Sequence, residues 1–313
     1  MEYLLLAVLV ILYTLQSLLT KLYTDKYPGD ENNASAVLTA VSGITVVIVT
    51  FCFFSFFEFT FNIWSILIGV LNAVALFGYN YFIVGASRKG PYSILMLFSL
   101  SFGIIIPIIA ALIMGWDAWE TTGEIIVNVV SIIAIVAAVY LVSVKDECKE
   151  EGVEEKKAPV SLVFFLFCFG LGLCNGIYGI CLTLQQQTAA AGGEGNRDEM
   201  VIMTFLVAAI ISLLTLAFKE KRGFIKAFSQ NKISALYLAG TSIVFALAIN
   251  VIVIIIPMIP TTILYTFDNS SVLILSVLAS WVFFKEKLSV KNIVGIAIMV
   301  AALVSMNLIP PLL

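Results

Sequence analysis

The chain has 313 residues, 61% of them hydrophobic and 12% charged, with a mean hydropathy of +1.08. So few charges cannot cover a water-soluble domain of this size, and the expected solvent is a bilayer. The net charge of −3, with no basic stripe, argues against a nucleic-acid partner, and the absence of histidine excludes His-dependent triads, histidine zinc sites and histidine proton relays.

A spanning helix takes roughly 20 apolar residues. The sequence predicts ten spans, at 3–22, 36–57, 64–86, 92–114, 125–144, 160–184, 201–218, 234–256, 261–284 and 290–308. The first opens MEYLLLAVLV, with neither a basic leader nor a small-residue cleavage site, so it reads as a spanning helix rather than a signal peptide. Turn signals part the spans: YPGDENN, RKGP, WDAWETTGE, GGEGNRDE and PMIP. Cys52, Cys168, Cys174 and Cys181 fall in apolar runs and Cys148 in a charged loop. Without a CxxC pair they suggest neither a disulfide framework nor a thiolate metal site.

Sixteen of the 17 Lys and Arg residues fall in the odd-numbered connections, and Arg197 is the exception. The positive-inside rule makes those connections cytoplasmic and puts both termini outside. The most charged connection, KDECKEEGVEEKK, divides five spans from five. Residues 1–147 are therefore expected as a first five-helix repeat, 148–159 as a charged cytoplasmic linker and 160–313 as a second repeat.

An odd number of spans per half forces the halves to insert in opposite senses, an arrangement found in transporters. GPYSILMLFSLSF (90–102) aligns with IPTTILYTFDNSS (259–271) at a constant spacing of 169, pairing Pro91 with Pro260, Phe98 with Phe267 and Ser101 with Ser270. At nearly the same spacing Asn80 meets Asn250. The expected fold is an all-α polytopic membrane protein, its ten transmembrane helices forming two inverted five-helix repeats around a central cavity.

Residues 260–308 carry a proline-led span nine, an acid-bearing FKEKLS turn and a glycine-containing final span. In these features the segment resembles the closing unit of EamA-type transporters of the drug/metabolite transporter superfamily. The resemblance implies a cavity lined by spans one, three, four, six, eight and nine, with five and ten peripheral. It also implies cytoplasmic termini, against the charge count. The expected location is the plasma (inner) membrane.

Span nine holds a carboxylate, Asp268, about 10 Å from its start at 1.5 Å per residue. At 100° per residue Thr261, Thr262, Tyr265, Asn269, Ser276 and Ser280 share a polar face with Asp268 at its edge, opposite Ile263, Phe267, Ile274, Leu278 and Trp281. An ionised carboxylate at the bilayer centre costs about 2.5–3.5 kcal/mol even on lenient scales, so Asp268 must be protonated, paired or in a wet cavity. Further binding or coupling candidates are Gln16, Tyr79, Asn80, Tyr92, Asn175, Tyr178 and Asn250, each also able to serve as interhelical glue. Pro107 is expected to kink span four, while Gly172 with Gly176, and Ala297, Ala301 with Ser305, favour close helix packing.

The expected function is a secondary transporter of a small polar or amphipathic metabolite, such as an amino acid or amine. It would work by alternating access, with proton coupling through Asp268 as one option. The nucleotide-binding pattern GxxxxGK followed by Ser or Thr is absent, so no nucleotide is implied, and no cofactor or metal is called for. Two alternatives stay open. An intramembrane enzyme would need a second deep carboxylate or a serine motif, and neither GxGD nor GxSG occurs. A channel or receptor would want rings of like groups around a pore.

Overall fold

The computed structural model describes residues 2–116, 121–143, 161–190, 196–219, 227–228, 231–259, 261–286 and 290–308. The linker at 148–159, Cys148 and Pro260 lie outside them. The described chain is helical without strands: α1 Glu2–Lys26, α2 Glu31–Val49, α3 Ile63–Ser87, α4 Tyr92–Ile113, α5 Thr122–Ser143, α6 Leu162–Ala190, α7 Arg197–Lys219, α8 Lys232–Ile255, α9 Thr261–Phe283 and α10 Val290–Leu308. All ten predicted spans are helices. Nine are long and apolar enough to cross a bilayer, and the apolar stretch of the tenth, Ile293–Met306, is shorter. The molecule is a multi-pass membrane protein.

Polar caps decide the boundaries that hydropathy blurs. α2 begins five residues before the predicted span because the Asp30 side chain accepts the Asn33 N–H at 2.7 Å. Asn62 and Asn231 cap α3 and α8 in the same way, from Ser65 and Ser234. The second span ends in a π-helical turn, Thr50–Phe54, followed by Phe56 and Phe57 in left-handed conformation. α6 runs past Leu184 through a Gln-rich stretch, since Gln is a good helix former. α4 continues through Pro107 without a break.

The helices pack in a definite pattern. α1 lies against α8 and α9, and α6 against α3 and α4. α7 packs on α2 and α3, α8 on α2, and α4 on α9, while α5 and α10 pair at the periphery. In lipid the apolar effect does not hold helices together, so close approach must. At Gly172 and Gly176 a Cβ would lie 2.8 Å from the Phe102 ring and 2.6 Å from Ile106, which is how α6 comes so near α4. The Ala297–Ala301 stripe does not pack in this way: both residues are exposed, and α10 instead buries Met299, Ala302, Leu303 and Met306. Outward faces are apolar, as with Trp64, Leu67, Leu71 and Val74 of α3, or Phe267, Ile274, Leu278 and Trp281 of α9. Exposed stripes of this length suit a bilayer and not water.

The described connections gather by parity. At one end Arg88, after α3, donates to the carbonyls of Thr24 in the last turns of α1 and of Tyr27 and Gly29 just after it, at 3.0–3.2 Å. There too Lys89 pairs with Glu31, and Tyr27 donates to the Ala227 carbonyl at 2.8 Å. Glu286, after α9, accepts the N–H groups of Tyr92 and Ser93 at 2.6 and 3.2 Å and the Ser93 hydroxyl at 2.9 Å. At the other end Glu199, opening α7, accepts the Thr60 N–H, the Thr60 hydroxyl at 2.5 Å and the Asn62 N–H at 2.8 Å. Beside it Arg197 donates to the Val253 carbonyl at 2.8 Å. The connections after α1, α3, α7 and α9 meet at the first end, and those after α2, α6 and α8 at the second.

Candidate functional site

Six helices enclose a central cavity with about 730 Å³ of empty space, its mouth included. Each contributes residues at helical spacing: Tyr13, Gln16 and Ser17 of α1; Leu76 and Tyr79 of α3; Met96 and Leu100 of α4; Asn175, Tyr178, Gly179 and Leu182 of α6; Phe245, Ile249 and Ile252 of α8; Tyr265, Asp268, Asn269 and Val272 of α9. Spacings of three and four put each set on one helix face, so packing six such faces inward builds the wall.

Asp268 is 6% exposed, and its Oδ1 has no hydrogen-bond partner among the described residues. Among the described residues it is the one formally charged residue lining the cavity. The neighbouring polar groups are held by backbone. Asn269 donates from Nδ2 to the Tyr265 carbonyl at 2.8 Å, and the Tyr265 hydroxyl donates to the Gly179 carbonyl at 2.9 Å. Asn175 donates from Nδ2 to the Ser99 carbonyl at 2.9 Å. Gly103 makes this possible, since a Cβ there would lie 2.4 Å from Asn175 Nδ2 and 3.0 Å from Asn269 Oδ1. Pro107 has no N–H, which leaves the Gly103 carbonyl without its usual helical donor.

Of the predicted site residues, Gln16, Tyr79, Asn175, Tyr178, Tyr265, Asp268 and Asn269 line the cavity. Three others do not. Asn250 lies one residue past Ile249, so it turns off the cavity face of α8 and donates to Thr50 Oγ1 at 3.0 Å and the Ala246 carbonyl at 2.8 Å. Asn80 likewise follows Tyr79 and is buried off the wall, with Nδ2 lacking a partner among the described residues. Tyr92 sits one turn beyond Met96, toward the odd-numbered end. The Ser17 hydroxyl donates to the Thr14 carbonyl at 2.9 Å, so in the 2.7 Å contact between Tyr92 and Ser17 the tyrosine is the donor. The side chain of Thr262 lies outside the described residues.

Sequence reading missed Tyr13 and Ser17. Their signal was present, because with Gln16 they make the i, i+3, i+4 pattern of one face, but a lone Tyr and Ser in an apolar helix are weak marks. It also placed no carboxylate as deep as Asp268. Glu199, in the first turn of α7, is covered at the end of the bundle by the chain before α3 and is not at that depth, while Glu58 is exposed and Glu286 half-buried at helix ends. Ser270 bonds back to the Thr266 carbonyl, as expected of a serine on the oily side of the helix. Cys52, Cys168, Cys174 and Cys181 are free thiols, and among the described residues no cluster could hold a metal.

No family model matches the chain, and no curated protein matches it. A solved crystal structure of a protein is similar over 99% of this chain and 97% of its own, with a TM-score of 0.57 at 15% identity. At that identity the likeness establishes a shared fold and carries no chemistry.

Proposed function

We propose that the protein is a secondary transporter that moves a small polar or amphipathic metabolite, such as an amino acid or amine, by alternating access, with Asp268 as the coupling group. The observation that carries this reading is the buried, unpartnered Asp268 oxygen on the wall of a cavity between six bilayer-length helices. An intramembrane ionisable side chain facing a hollow marks a solute or ion path. A proton and a solute competing for one carboxylate would couple their movements, and no nucleotide-binding motif offers another energy source.

The packing supports an inverted duplication. Exchanging helices one to five with six to ten turns the α1–α8 contact into α6–α3, α1–α9 into α6–α4, and α2–α8 into α7–α3, all of which exist, and it maps the α2–α7, α4–α9 and α5–α10 contacts onto themselves. Cavity positions obey the same rule: Leu76 with Phe245, Met96 with Tyr265 and Leu100 with Asn269 are each separated by 169. The resemblance of residues 260–308 to EamA-type transporters agrees with this arrangement, and a plasma (inner) membrane location goes with it. Carboxylates fasten both ends, Glu286 on α4 and Glu199 before α3. In alternating access one fastening releases while the other holds.

Purified protein in proteoliposomes, offered labelled amino acids and amines with and without a proton gradient, tests the reading. Saturable, gradient-stimulated uptake that collapses in Asp268→Asn is expected. Unitary currents in place of saturable uptake, or an Asp268→Asn variant with full gradient-driven transport, would sink the transport or the coupling claim respectively.

A further inference from the structure

We infer that the cavity selects an organic monocation that donates hydrogen bonds, a primary or secondary ammonium on an apolar body, over a zwitterion or anion of the same shape. The inference deepens the transporter reading and rests on it for movement, though not for binding.

Three features of the wall point the same way. The first is charge. Among the described residues Asp268 is its one formal charge and has an oxygen without a partner, no Lys or Arg lines it, and the chain has no His. An ammonium finds a partner there, but the carboxylate of an amino acid would be left without a cation in a largely apolar hollow. The second is hydrogen-bond polarity. The side-chain nitrogens of Asn175 and Asn269 bond the Ser99 and Tyr265 carbonyls, and the hydroxyls of Tyr265 and Ser17 bond the Gly179 and Thr14 carbonyls. Each of those amides keeps a second N–H, and Gln16 Nε2 reaches Thr20 Oγ1 at only 3.5 Å, but the committed donors leave Asp268 Oδ1 and the amide oxygens of Asn175 and Asn269 as acceptors on the wall. The remaining tyrosine hydroxyls accept as readily as they donate. The third is the rings. Tyr13, Tyr79, Tyr178 and Tyr265 all border the space, and an aromatic face attracts a cation within about 6 Å of its centre. Leu76, Met96, Leu100 and Ile249 supply an apolar surface for the rest of the solute.

Three compounds of similar shape separate the possibilities: 2-phenylethylamine, 3-phenylpropionate and phenylalanine, which at neutral pH are a cation, an anion and a zwitterion. Equilibrium binding to the purified protein in detergent should rank the amine at least about tenfold above phenylalanine, with no binding of the acid. Asp268→Asn should weaken the amine at least about tenfold. Tyr178→Phe should keep it, whereas Tyr178→Leu should lose roughly three- to tenfold. Melting of each ligand-free variant checks that it folds, and the Tyr178 pair decides if Asp268→Asn does not. Equal or stronger binding of phenylalanine or the acid, no binding of any of the three at millimolar concentration, or a folded Asp268→Asn with unchanged amine affinity overturns the selectivity. Amine binding without uptake in proteoliposomes overturns the transporter reading and leaves the selectivity standing. Uptake of the zwitterion or acid in preference to the amine does the reverse.

Discussion

Asp268 and Asn269 face the cavity, while Asn250, an equally polar residue in an equally apolar helix, faces Thr50 in the π-helical turn after α2. The difference is about 100° of helix rotation between neighbouring residues, which composition cannot register. Asn250 therefore serves as an interhelical tie. Asn250→Leu should lower unfolding stability by about 0.6 kcal/mol, the usual worth of such a bond in a membrane, and leave uptake unchanged. Denaturant titration together with a transport assay checks both parts. Gly103 belongs to the opposite class. In Gly103→Ala the new methyl would meet Asn175 Nδ2 at 2.4 Å, so Asn175 must swing off the Ser99 carbonyl and change the wall. Ligand affinity should fall by more than stability does, which binding and melting measurements on one preparation would show.

At the scale of helices, two carboxylates bind element to element. α4 starts after Pro91, which offers no side-chain cap, and its first N–H groups are taken by Glu286 from the other half of the chain. Charged hydrogen bonds to helix N-termini are worth about 1.5–3 kcal/mol. Glu286→Ala should therefore lower the melting temperature and loosen α4 from α9. In a background with its native cysteines replaced, a Ser17→Cys probe should then react faster with a membrane-impermeant maleimide offered at the odd-numbered end. Glu199→Ala should have the same effect from the even-numbered end, because Glu199 closes the contact between α7 and the chain before α3. An unchanged labelling rate in both variants would mean that the carboxylates stabilise the helices without sealing the cavity. Helix existence was legible in the sequence because hydropathy reports it directly. The start of α2 was less so, since Asp30 sits in the polar run YPGDENN, which looks like loop. The Ala297 stripe misled for a related reason: small residues permit close packing but do not say that a neighbour is there.

For the molecule as a whole, parity is the organising fact. Connections after α1, α3, α7 and α9 meet at one end, and those after α2, α6 and α8 at the other, so successive helices run in opposite directions across the bundle. Lys and Arg are concentrated in the odd connections, so the positive-inside rule predicts a cytoplasmic odd-numbered end. In intact cells an impermeant thiol reagent should label Phe61→Cys, at the even end, and not Pro28→Cys, at the odd end. The reverse pattern would invert the orientation.

Ten helices, and the ends that connect them, were determined by the sequence by itself, because hydrocarbon demands long apolar runs and tolerates charge only between them. It also marked Asp268 as exceptional, since an acid at that depth needs a reason. Tertiary structure alone decided which polar side chains share the cavity, that Tyr13 and Ser17 belong with them and that Asn80, Tyr92 and Asn250 do not. A helix offers polar groups to every direction around its axis, and only the placement of its neighbours turns one of those directions into a wall.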